Sequence, residues 1–349
     1  MKQIENLNIE SINHLPSPGL IKEQVPSTIA ALKTIYESRK ALENIIDKKD
    51  NRLLVVIGPC SIHDTTAAME YAQRLKKLDD QFSDQIKFIM RVYFEKPRTT
   101  LGWKGLINDP YIDQTYKVEE GLKLGRTVLR DIAEVGLGTA TEMLDTMTPQ
   151  YLADLVCWGA IGARTVESQP HREMSSGLSM PIGFKNATTG DISVAINAVK
   201  VAVNSHHFLG ANQKGELSLV KTKGNKYSHL ILRGGSTGPN YDPTTIKCNA
   251  ELLSNEGLCN QIMIDCSHGN SKKKHQYQAD VIRNVTGQIQ NGNQNILGLM
   301  IESNLFEGNQ SLVKKEDLKY GLSITDECIG WDTTVMLMDN LYTILKKRA

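Results

Sequence analysis

The chain has 349 residues, which is enough for one catalytic barrel of about 250 residues with extensions. It carries 40 basic and 39 acidic side chains, and a net charge of +1 excludes a general electrostatic attraction to nucleic acid or to a membrane surface. Its start is polar and no apolar run approaches the ~20 residues that cross a bilayer, so we expect a cytoplasmic protein with reduced cysteines.

Residues 1–50 are predicted to form a polar extension that precedes the catalytic domain. Three prolines lie near its middle, and residues 27–47 then repeat apolar side chains at helical spacing. An extension of this length is available for subunit contact or for regulation, and a solvated arm is the simpler alternative.

Eight short apolar runs follow, and each closes on a polar residue of a kind that binds phosphate, carboxylate or metal. A near-continuous apolar run of four to six residues is typical of a buried parallel strand. Eight such runs predict an α/β protein with a (β/α)8 TIM barrel over residues 51–349, whose active site lies at the C-terminal ends of the strands. In chain order the runs are LLVVIGPC, KFIMRVYFEKPRT, GLGTATE, CWGAIGAR, PIGFK, HLILR, QIMIDCSH and LGLMIE.

The segments between the runs have helical periodicity, with one exception. Pro149 suits the first turn of the helix after the third run, and residues 331–347 are predicted to form the last helix. Residues from about 210 to 226 break the pattern, because ELSLVKT alternates between two glycine-containing turns. We therefore predict an inserted β-hairpin before the sixth strand of the barrel.

Cys60, His268, Glu302 and Asp326 form the first group of candidate functional residues. Three of them close predicted strands and the fourth follows the last strand, so a barrel brings them together. A thiolate, an imidazole and two carboxylates suit Mn²⁺, Fe²⁺, Co²⁺ or Zn²⁺ rather than Ca²⁺. A structural role is the simpler interpretation for any one of them, whereas the four together predict a metal site.

The second group consists of cations that follow or interrupt the apolar runs. Lysine and arginine are rarely fully buried, and several of them at one barrel mouth repel one another unless anions bind there. Arginine pairs with planar oxyanions through two hydrogen bonds, which predicts a phosphate, a carboxylate and a second phosphate. Surface ion pairs are the alternative. The cations are Arg91, Lys96, Arg98, Arg164, Lys185 and Arg233.

Several longer motifs occur in a specific order from about residue 30 to 335. They are GPCSIHD, RVYFEKPRTTLGWKGLINDP, GARTVESQPHREMSSGLSMPIGFKN, HLILRGG, PNYD, IDCSHGNS, IESNLFEGNQ and SITDECIGW. In this order and spacing the chain resembles class I 3-deoxy-D-arabino-heptulosonate 7-phosphate (DAHP) synthases. The resemblance implies condensation of phosphoenolpyruvate with erythrose 4-phosphate and release of phosphate, the first step of the shikimate pathway to the aromatic amino acids.

The resemblance also implies roles for single residues. The metal, Mn²⁺ with Fe²⁺, Co²⁺ or Zn²⁺ as alternatives, is expected on Cys60, His268, Glu302 and Asp326. Phosphoenolpyruvate is expected on Arg91, Arg164, Lys185 and Arg233. Erythrose 4-phosphate is expected on Asp326 and on the KPRT segment, which consists of Lys96, Pro97, Arg98 and Thr99. The candidate catalytic residues are Lys96, Glu142 and Asp326, the first two for proton transfer.

Feedback inhibition by an aromatic amino acid, in a homotetramer built as a dimer of dimers, is a further implication of the resemblance. Phenylalanine-sensitive members usually have Ser at the position of Gly210 and Asp at that of Asn6, so we favour tyrosine over phenylalanine. The matching pocket consists of Asn6 from a neighbouring subunit, Pro149, Gln150, Leu178, Ser179, Phe208, Gly210 and Val220.

Three alternative functions compete with this interpretation. A 3-deoxy-D-manno-octulosonate 8-phosphate synthase would typically have KANRSS where this chain has KPRTT. A Schiff-base aldolase could use Lys185 but would leave the metal-binding set without a purpose. A catalytically silent barrel that binds an aromatic amino acid would be expected to have lost some of these residues.

Overall fold

The structure is a computed structural model that describes residues 4–98 and 100–348. In chain order its strands are β1 (Leu53–Gly58), β2 (Ile86–Arg91), β3 (Gly138–Glu142), β4 (Trp158–Ile161), β5 (Ile182–Lys185), β6 (His207–Ala211), β7 (Leu217–Lys221), β8 (Ser228–Leu232), β9 (Ile262–Asp265) and β10 (Ile296–Glu302). Eight of them form a closed barrel in the order β1-β10-β9-β8-β5-β4-β3-β2, and the neighbours pair in parallel. The predicted (β/α)8 barrel is confirmed, and its eight strands are the eight apolar runs.

The barrel closes where its first strand meets its last. Leu54 of β1 lies opposite Gly298 of β10, and Gly58 lies opposite Glu302. A Cβ atom on Gly298 would lie 2.0 Å from the carbonyl oxygen of Leu54, so only glycine allows the two strands to approach this closely. The closure brings Glu302 to the same end of the barrel as Cys60, which follows β1.

Helices surround the barrel, and several begin directly after a strand or a short loop. They are α1 (Pro18–Gln24), α2 (Ile29–Ile46), α3 (Thr65–Phe82), α4 (Val118–Glu134), α5 (Thr148–Leu152), α6 (Gln169–Ser175), α7 (Ser193–Ala202), α8 (Pro243–Asn255), α9 (Gln278–Gln290) and α10 (Trp331–Arg348). The Asp64 carboxylate accepts hydrogen bonds from two backbone amides at the start of α3, and Asp242 accepts one from Thr245 at the start of α8. Among the described residues, none of the helices combines the length and the hydropathy needed to cross a membrane.

The N-terminal segment is held against the barrel by a buried arginine. Arg126 of α4 is fully buried and donates hydrogen bonds to the carbonyl of Val25 at 3.1 Å and to the hydroxyl of Ser27 at 3.1 Å. Its guanidinium also pairs with the Asp154 carboxylate at 2.7 Å. The connection between α1 and α2 is therefore fixed to the barrel helices.

An antiparallel hairpin of β6 and β7 interrupts the barrel between α7 and β8. This is the predicted insertion, although its first strand begins at His207, three residues before the expected start. One face of the hairpin exposes Leu209, Leu217 and Leu219, which are 86%, 90% and 71% accessible. The hairpin therefore presents an apolar face that no other part of the described chain covers.

Candidate active site

A cleft of about 270 Å³ opens at the C-terminal ends of the barrel strands. We call it the active-site cleft. The predicted site residues that line it are Lys96, Pro97, Arg98, Glu142, Arg164, Lys185, Arg233, His268 and Asp326. Cys60, Arg91 and Glu302 are fully buried close by. Thr99 lies outside the described residues.

The four predicted metal ligands lie together at this end of the barrel. Ligand atoms of Cys60, Glu302 and Asp326 are all within 4.8 Å of one another. The Nε2 atom of His268 lies 3.8 Å from Glu302 Oε1 and 3.9 Å from Asp326 Oδ2. Donor atoms bound at 2.0–2.3 Å to one tetrahedral ion are separated by roughly 3.3–3.8 Å. The donor set therefore fits a single divalent cation.

The charge state of these groups depends on their neighbours. Burial and the Glu302 carboxylate raise the pKa of the Cys60 thiol to about 12. The ammonium group of Lys96 donates a hydrogen bond to Cys60 Sγ at 3.0 Å. Although burial opposes ionisation, Lys96 and His268 hold the pKa of Asp326 at about 2. At neutral pH a metal ion must therefore displace the thiol proton to bind all four groups.

Asp265, which was not among the residues predicted from the sequence, lies next to the four predicted metal ligands. Its Oδ2 atom lies 2.9 Å from His268 Nδ1 and accepts a hydrogen bond of 2.9 Å from Lys185. Although burial opposes ionisation, His268 and Lys185 hold the pKa of this carboxyl well below its usual value. One buried carboxylate thus contacts both His268, a predicted metal ligand, and Lys185, a predicted substrate-binding cation. The sequence signal that could have identified Asp265 is its position at the end of a strand, three residues before His268.

Arg91 places a buried guanidinium next to Glu302, and two of its nitrogen atoms lack hydrogen-bond partners among the described residues. Its Nη2 atom donates to Glu302 Oε1 at 3.1 Å, and its guanidinium lies 3.9 Å from the ring centre of Tyr93. In the described part of the chain, its Nε and Nη1 atoms are buried and lack a hydrogen-bond partner. An unsatisfied buried donor costs about 1–3 kcal/mol, and more if it is charged. A bound anion would satisfy both groups.

Three more cations and one carboxylate complete the walls of the cleft. Lys185 and Arg233 are almost fully buried, and Arg164 lies exposed at the rim. The Oε1 atom of Glu142 is buried without a hydrogen-bond partner among the described residues. A Cβ atom on Gly162 would lie 2.1 Å from this oxygen, so the glycine leaves room for the carboxylate. The cleft therefore combines several anion-binding groups with one carboxylate available for proton transfer.

Lys96, Pro97 and Arg98 of the KPRT segment follow β2 and line the active-site cleft. The backbone N–H of Lys96 donates to the carbonyl of Lys104 at 2.9 Å, and Arg98 Nε donates to the carbonyl of Trp103 at 2.7 Å. Glu95, which precedes the segment, is buried and accepts a hydrogen bond of 3.4 Å from Thr148 of α5. The structure thus connects the KPRT segment with α5 through Glu95, a residue that was not predicted from the sequence.

Replacing Glu95 with glutamine is expected to flatten the pH dependence of stability. Burial and the Asp145 carboxylate raise the pKa of Glu95 from 4.5 to about 8, so the folded chain keeps a proton that the unfolded chain loses. Between these pH values the free energy of unfolding of the wild type falls by about 1.4 kcal/mol per pH unit because of this group. Glutamine cannot ionise, so the free energy of the variant minus that of the wild type should rise with pH at this slope.

Urea denaturation from pH 5 to 8 at one protein concentration measures this difference. Glu134→Gln, which alters an exposed carboxylate on α4, is the matched control and should give a difference that hardly changes with pH. An equally constant difference for Glu95→Gln would contradict the prediction.

A second cleft, of about 380 Å³, lies between α5, α6 and the hairpin. We call it the effector cleft. The predicted inhibitor-site residues that line it are Pro149, Gln150, Leu178, Phe208, Gly210 and Val220. Asn6 and Ser179 are exposed and are not among its lining residues. A Cβ atom on Gly210 would lie 2.8 Å from Val220 Cγ2, so the glycine widens the cleft.

The sequence pattern of the DAHP synthetase I family matches residues 27–339. The chain belongs to the DAHP synthetase I family. A relative is the Tyr-sensitive phospho-2-dehydro-3-deoxyheptonate aldolase of Salmonella typhimurium, which is 50% identical over 97% of this chain and 95% of its own length. Another is the Phe-sensitive enzyme of Escherichia coli, which is 51% identical over 99% of both chains. Family membership confirms the resemblance and the enzyme class predicted from the sequence.

The fold of this family member is also found in a solved structure. The phospho-2-dehydro-3-deoxyheptonate aldolase of Francisella tularensis superimposes with a TM-score of 0.96 and 48% identity, over 98% of this chain and 100% of that one. Relatives of the tyrosine-sensitive and the phenylalanine-sensitive type are almost equally similar to this chain. Overall similarity therefore does not distinguish between the two effectors.

Proposed function

We propose that this chain condenses phosphoenolpyruvate with erythrose 4-phosphate to give 3-deoxy-D-arabino-heptulosonate 7-phosphate and inorganic phosphate. One observation carries the proposal: Arg91, with two unsatisfied buried donors, contacts Glu302 of the four-donor set. An anion site thus adjoins a metal site at the mouth of the barrel. The names of the relatives, which denote a heptonate aldolase, support the same reaction.

The proposed metal ligands are Cys60, His268, Glu302 and Asp326, and the proposed ion is Mn²⁺, with Fe²⁺, Co²⁺ or Zn²⁺ as alternatives. The mixture of sulfur, nitrogen and oxygen donors supports a transition metal or Zn²⁺. When bound, the ion supplies a Lewis acid that polarises the aldehyde carbonyl. The Asp265 carboxylate, 2.9 Å from His268 Nδ1, supports the assignment of His268 as a ligand.

Two pairs of cations fit the two charged ends of phosphoenolpyruvate. Arg91 and Lys185 form the buried pair, while Arg164 and Arg233 lie nearer the opening. We assign the carboxylate to the first pair and the phosphate to the second. In this arrangement the cations orient the enol carbon towards the aldehyde and offset the negative charge of two substrates.

The KPRT segment and Asp326 are assigned to erythrose 4-phosphate because Lys96, Pro97, Arg98 and Asp326 line the same cleft as the cations assigned to phosphoenolpyruvate. Lys96 lies between the cleft and Cys60, where its ammonium can donate a proton to the developing alkoxide. Glu142 has a free buried oxygen that can accept a proton from the water that adds to C2. These are proposed roles, and Thr99 of the segment lies outside the described residues.

The test is phosphate release from phosphoenolpyruvate and erythrose 4-phosphate after treatment with EDTA and again after addition of Mn²⁺. Loss of activity followed by recovery is the expected result. Activity with arabinose 5-phosphate alone would indicate the octulosonate synthase instead. No phosphate release with any divalent metal would overturn the proposal in favour of a silent barrel.

Regulation, assembly and location are proposed on structural grounds of their own. The apolar effector cleft supports binding of an aromatic amino acid, tyrosine in our assignment.

The exposed leucines of the hairpin and the exposed apolar side chains of residues 4–15 support a homotetramer formed through the N-terminal extension, residues 1–50, and the hairpin. All six cysteines are free, which supports a cytoplasmic location.

Replacing Gly210 with serine is expected to weaken inhibition by tyrosine about tenfold or more. The new Cβ atom would lie 2.8 Å from Val220 Cγ2, so the cleft must narrow where the aromatic ring binds. Inhibition curves for tyrosine and phenylalanine on both proteins provide the measurement, and an unchanged KM for phosphoenolpyruvate is the internal control. Equal tyrosine inhibition of both proteins would contradict the placement of the effector.

A further inference from the structure

A third cleft, of about 740 Å³, adjoins the active-site cleft. We call it the outer cleft. The loops that follow β8 and β9 form most of its walls, and none of the described residues of the KPRT segment lines it. Arg164, Arg233 and Lys273 line both clefts, so the two cavities meet at these three cations. The function proposed above uses neither Lys272 nor Lys273.

The lining of the outer cleft is strongly positive. It contains Arg164, Arg233, Lys272 and Lys273, and its described lining residues include no carboxylate. Four cations around one cavity repel one another, so binding of an anion there is favoured. The charge identifies the ligand class as an inorganic or organic anion.

The two lysines are fixed by the turn that carries His268. Lys272 and Lys273 have φ angles of 52° and 60°, in the left-handed region that costs a non-glycine residue about 1–2 kcal/mol. Their backbone N–H groups donate to the carbonyls of Gly269 at 3.2 Å and His268 at 2.7 Å. The turn therefore keeps two adjacent lysines at the edge of the cleft at a cost in backbone energy.

The glycine-rich loop opposite the lysines offers few free donors. The N–H of Gly235 donates to the carbonyl of Gly238 at 2.9 Å, that of Gly238 to Gly235 at 3.1 Å, and that of Ser236 to Thr188 at 3.0 Å. An anion in the outer cleft is therefore held by side-chain cations, and Lys272 and Lys273 are exposed to solvent. Exposed charges bind weakly because water screens them, which suits an anion in transit.

We propose that the outer cleft is a second phosphate site, which receives the orthophosphate that leaves during turnover. The inference rests on the proposed function. In the last step the C2–O bond to phosphate breaks and its electron pair stays on the phosphate oxygen. The C2 hydroxyl loses its proton as the ketone forms, and the orthophosphate takes up that proton. The sugar phosphate then occupies the active-site cleft, and the shared cations pass the orthophosphate to the outer cleft.

Lys272→Gln tests the proposal because Lys272 lines the outer cleft but not the active-site cleft. Lys274→Gln is the matched control. It removes the same charge two residues further along the chain, and the Lys274 side chain lines neither cleft. Inhibition by inorganic phosphate is measured at several phosphoenolpyruvate concentrations. Phosphate held by Lys272 and Lys273 in the outer cleft can coexist with phosphoenolpyruvate on Arg164 and Arg233 and gives a noncompetitive component, whereas phosphate in the active-site cleft competes.

In Lys272→Gln the inhibition constant for the noncompetitive component of phosphate inhibition should rise about three- to tenfold. The inhibition constant for the competitive component should stay unchanged. Lys274→Gln should alter neither component by more than about twofold. Equal effects of the two variants, or none, would overturn the proposal. A raised KM for phosphoenolpyruvate with unchanged phosphate inhibition would show that the cleft captures the entering substrate instead.

A binding measurement separates this inference from the reaction itself. Titration of the resting protein with inorganic phosphate, followed by ³¹P NMR, detects the site without turnover. If the wild type releases no phosphate from its substrates, the proposed function fails. Weaker phosphate binding by Lys272→Gln than by Lys274→Gln would still support the outer site, and identical binding by both variants would refute it.

Discussion

Replacement of Cys60 with alanine is expected to lower kcat by more than about 100-fold and to abolish tight metal binding while the barrel stays folded. Loss of a residue that only orients a ligand typically costs 10- to 100-fold, and Cys60 is itself a proposed ligand. Its thiol lies 3.7 Å from the Asp326 carboxylate, and alanine offers no donor in that place. Metal content after dialysis and kcat at saturating Mn²⁺ measure the two effects.

Cys157→Ala is the matched control for this prediction. Cys157 is also fully buried, but its thiol donates to the carbonyl of Thr139 and is not part of the metal-binding set. The control should retain metal and turnover, and circular dichroism should show that both variants are folded. Full metal-dependent turnover by Cys60→Ala would refute the ligand assignment.

Replacement of Arg91 with lysine is expected to raise the KM for phosphoenolpyruvate by about 10- to 100-fold. Lysine keeps the charge but loses the planar group whose Nε and Nη1 atoms are unsatisfied. A hydrogen bond to a charged group contributes about 1.5–3 kcal/mol, which corresponds to this range. The KM for erythrose 4-phosphate should change by less than threefold, because Arg91 belongs to the group of cations that we assign to phosphoenolpyruvate.

Arg130→Lys provides the comparison for Arg91→Lys. Arg130 pairs on the surface with Asp131 at 2.9 Å, so the same change there should leave both KM values unaltered. If Arg91→Lys altered only the KM for erythrose 4-phosphate, the assignment of the two substrates to their sites would have to be reversed.

Most of the barrel strands were predictable because they are buried along most of their length and consist mainly of consecutive apolar residues, as β1 and β10 do, whereas β3 (GTATE) is buried without such a run. The candidate site was predictable because a barrel collects the residues that follow its strands, as it does Cys60 and His268. Asp265 also ends a strand, but its importance depends on contacts with Lys185 and His268 that only the folded chain shows.

The length of α5 and the start of the hairpin could not be predicted, because they depend on competing local hydrogen bonds that the sequence pattern does not reveal. The helix expected at Pro149 has only five residues, Thr148–Leu152, before the chain tightens into a 3₁₀ turn. The carboxylate of Asp145 accepts hydrogen bonds from the N–H groups of Met147 and Thr148 at its start. The start of the hairpin was predicted too late, because the first strand does not alternate between apolar and polar side chains as strongly as the second strand does. His207 and Phe208 therefore gave no clear strand signal.

The closure of the barrel also determines when the metal site can exist. Cys60 and Asp326 are 266 residues apart in the chain, and the seam between β1 and β10 forms only after the last strand has been synthesised. A growing chain on the ribosome therefore lacks the complete set of proposed metal ligands. An ion that bound only the closed state would stabilise that state by about 4 kcal/mol at a thousandfold excess over its Kd. The supply of metal ions would then influence how many newly made chains complete folding, before it influenced turnover.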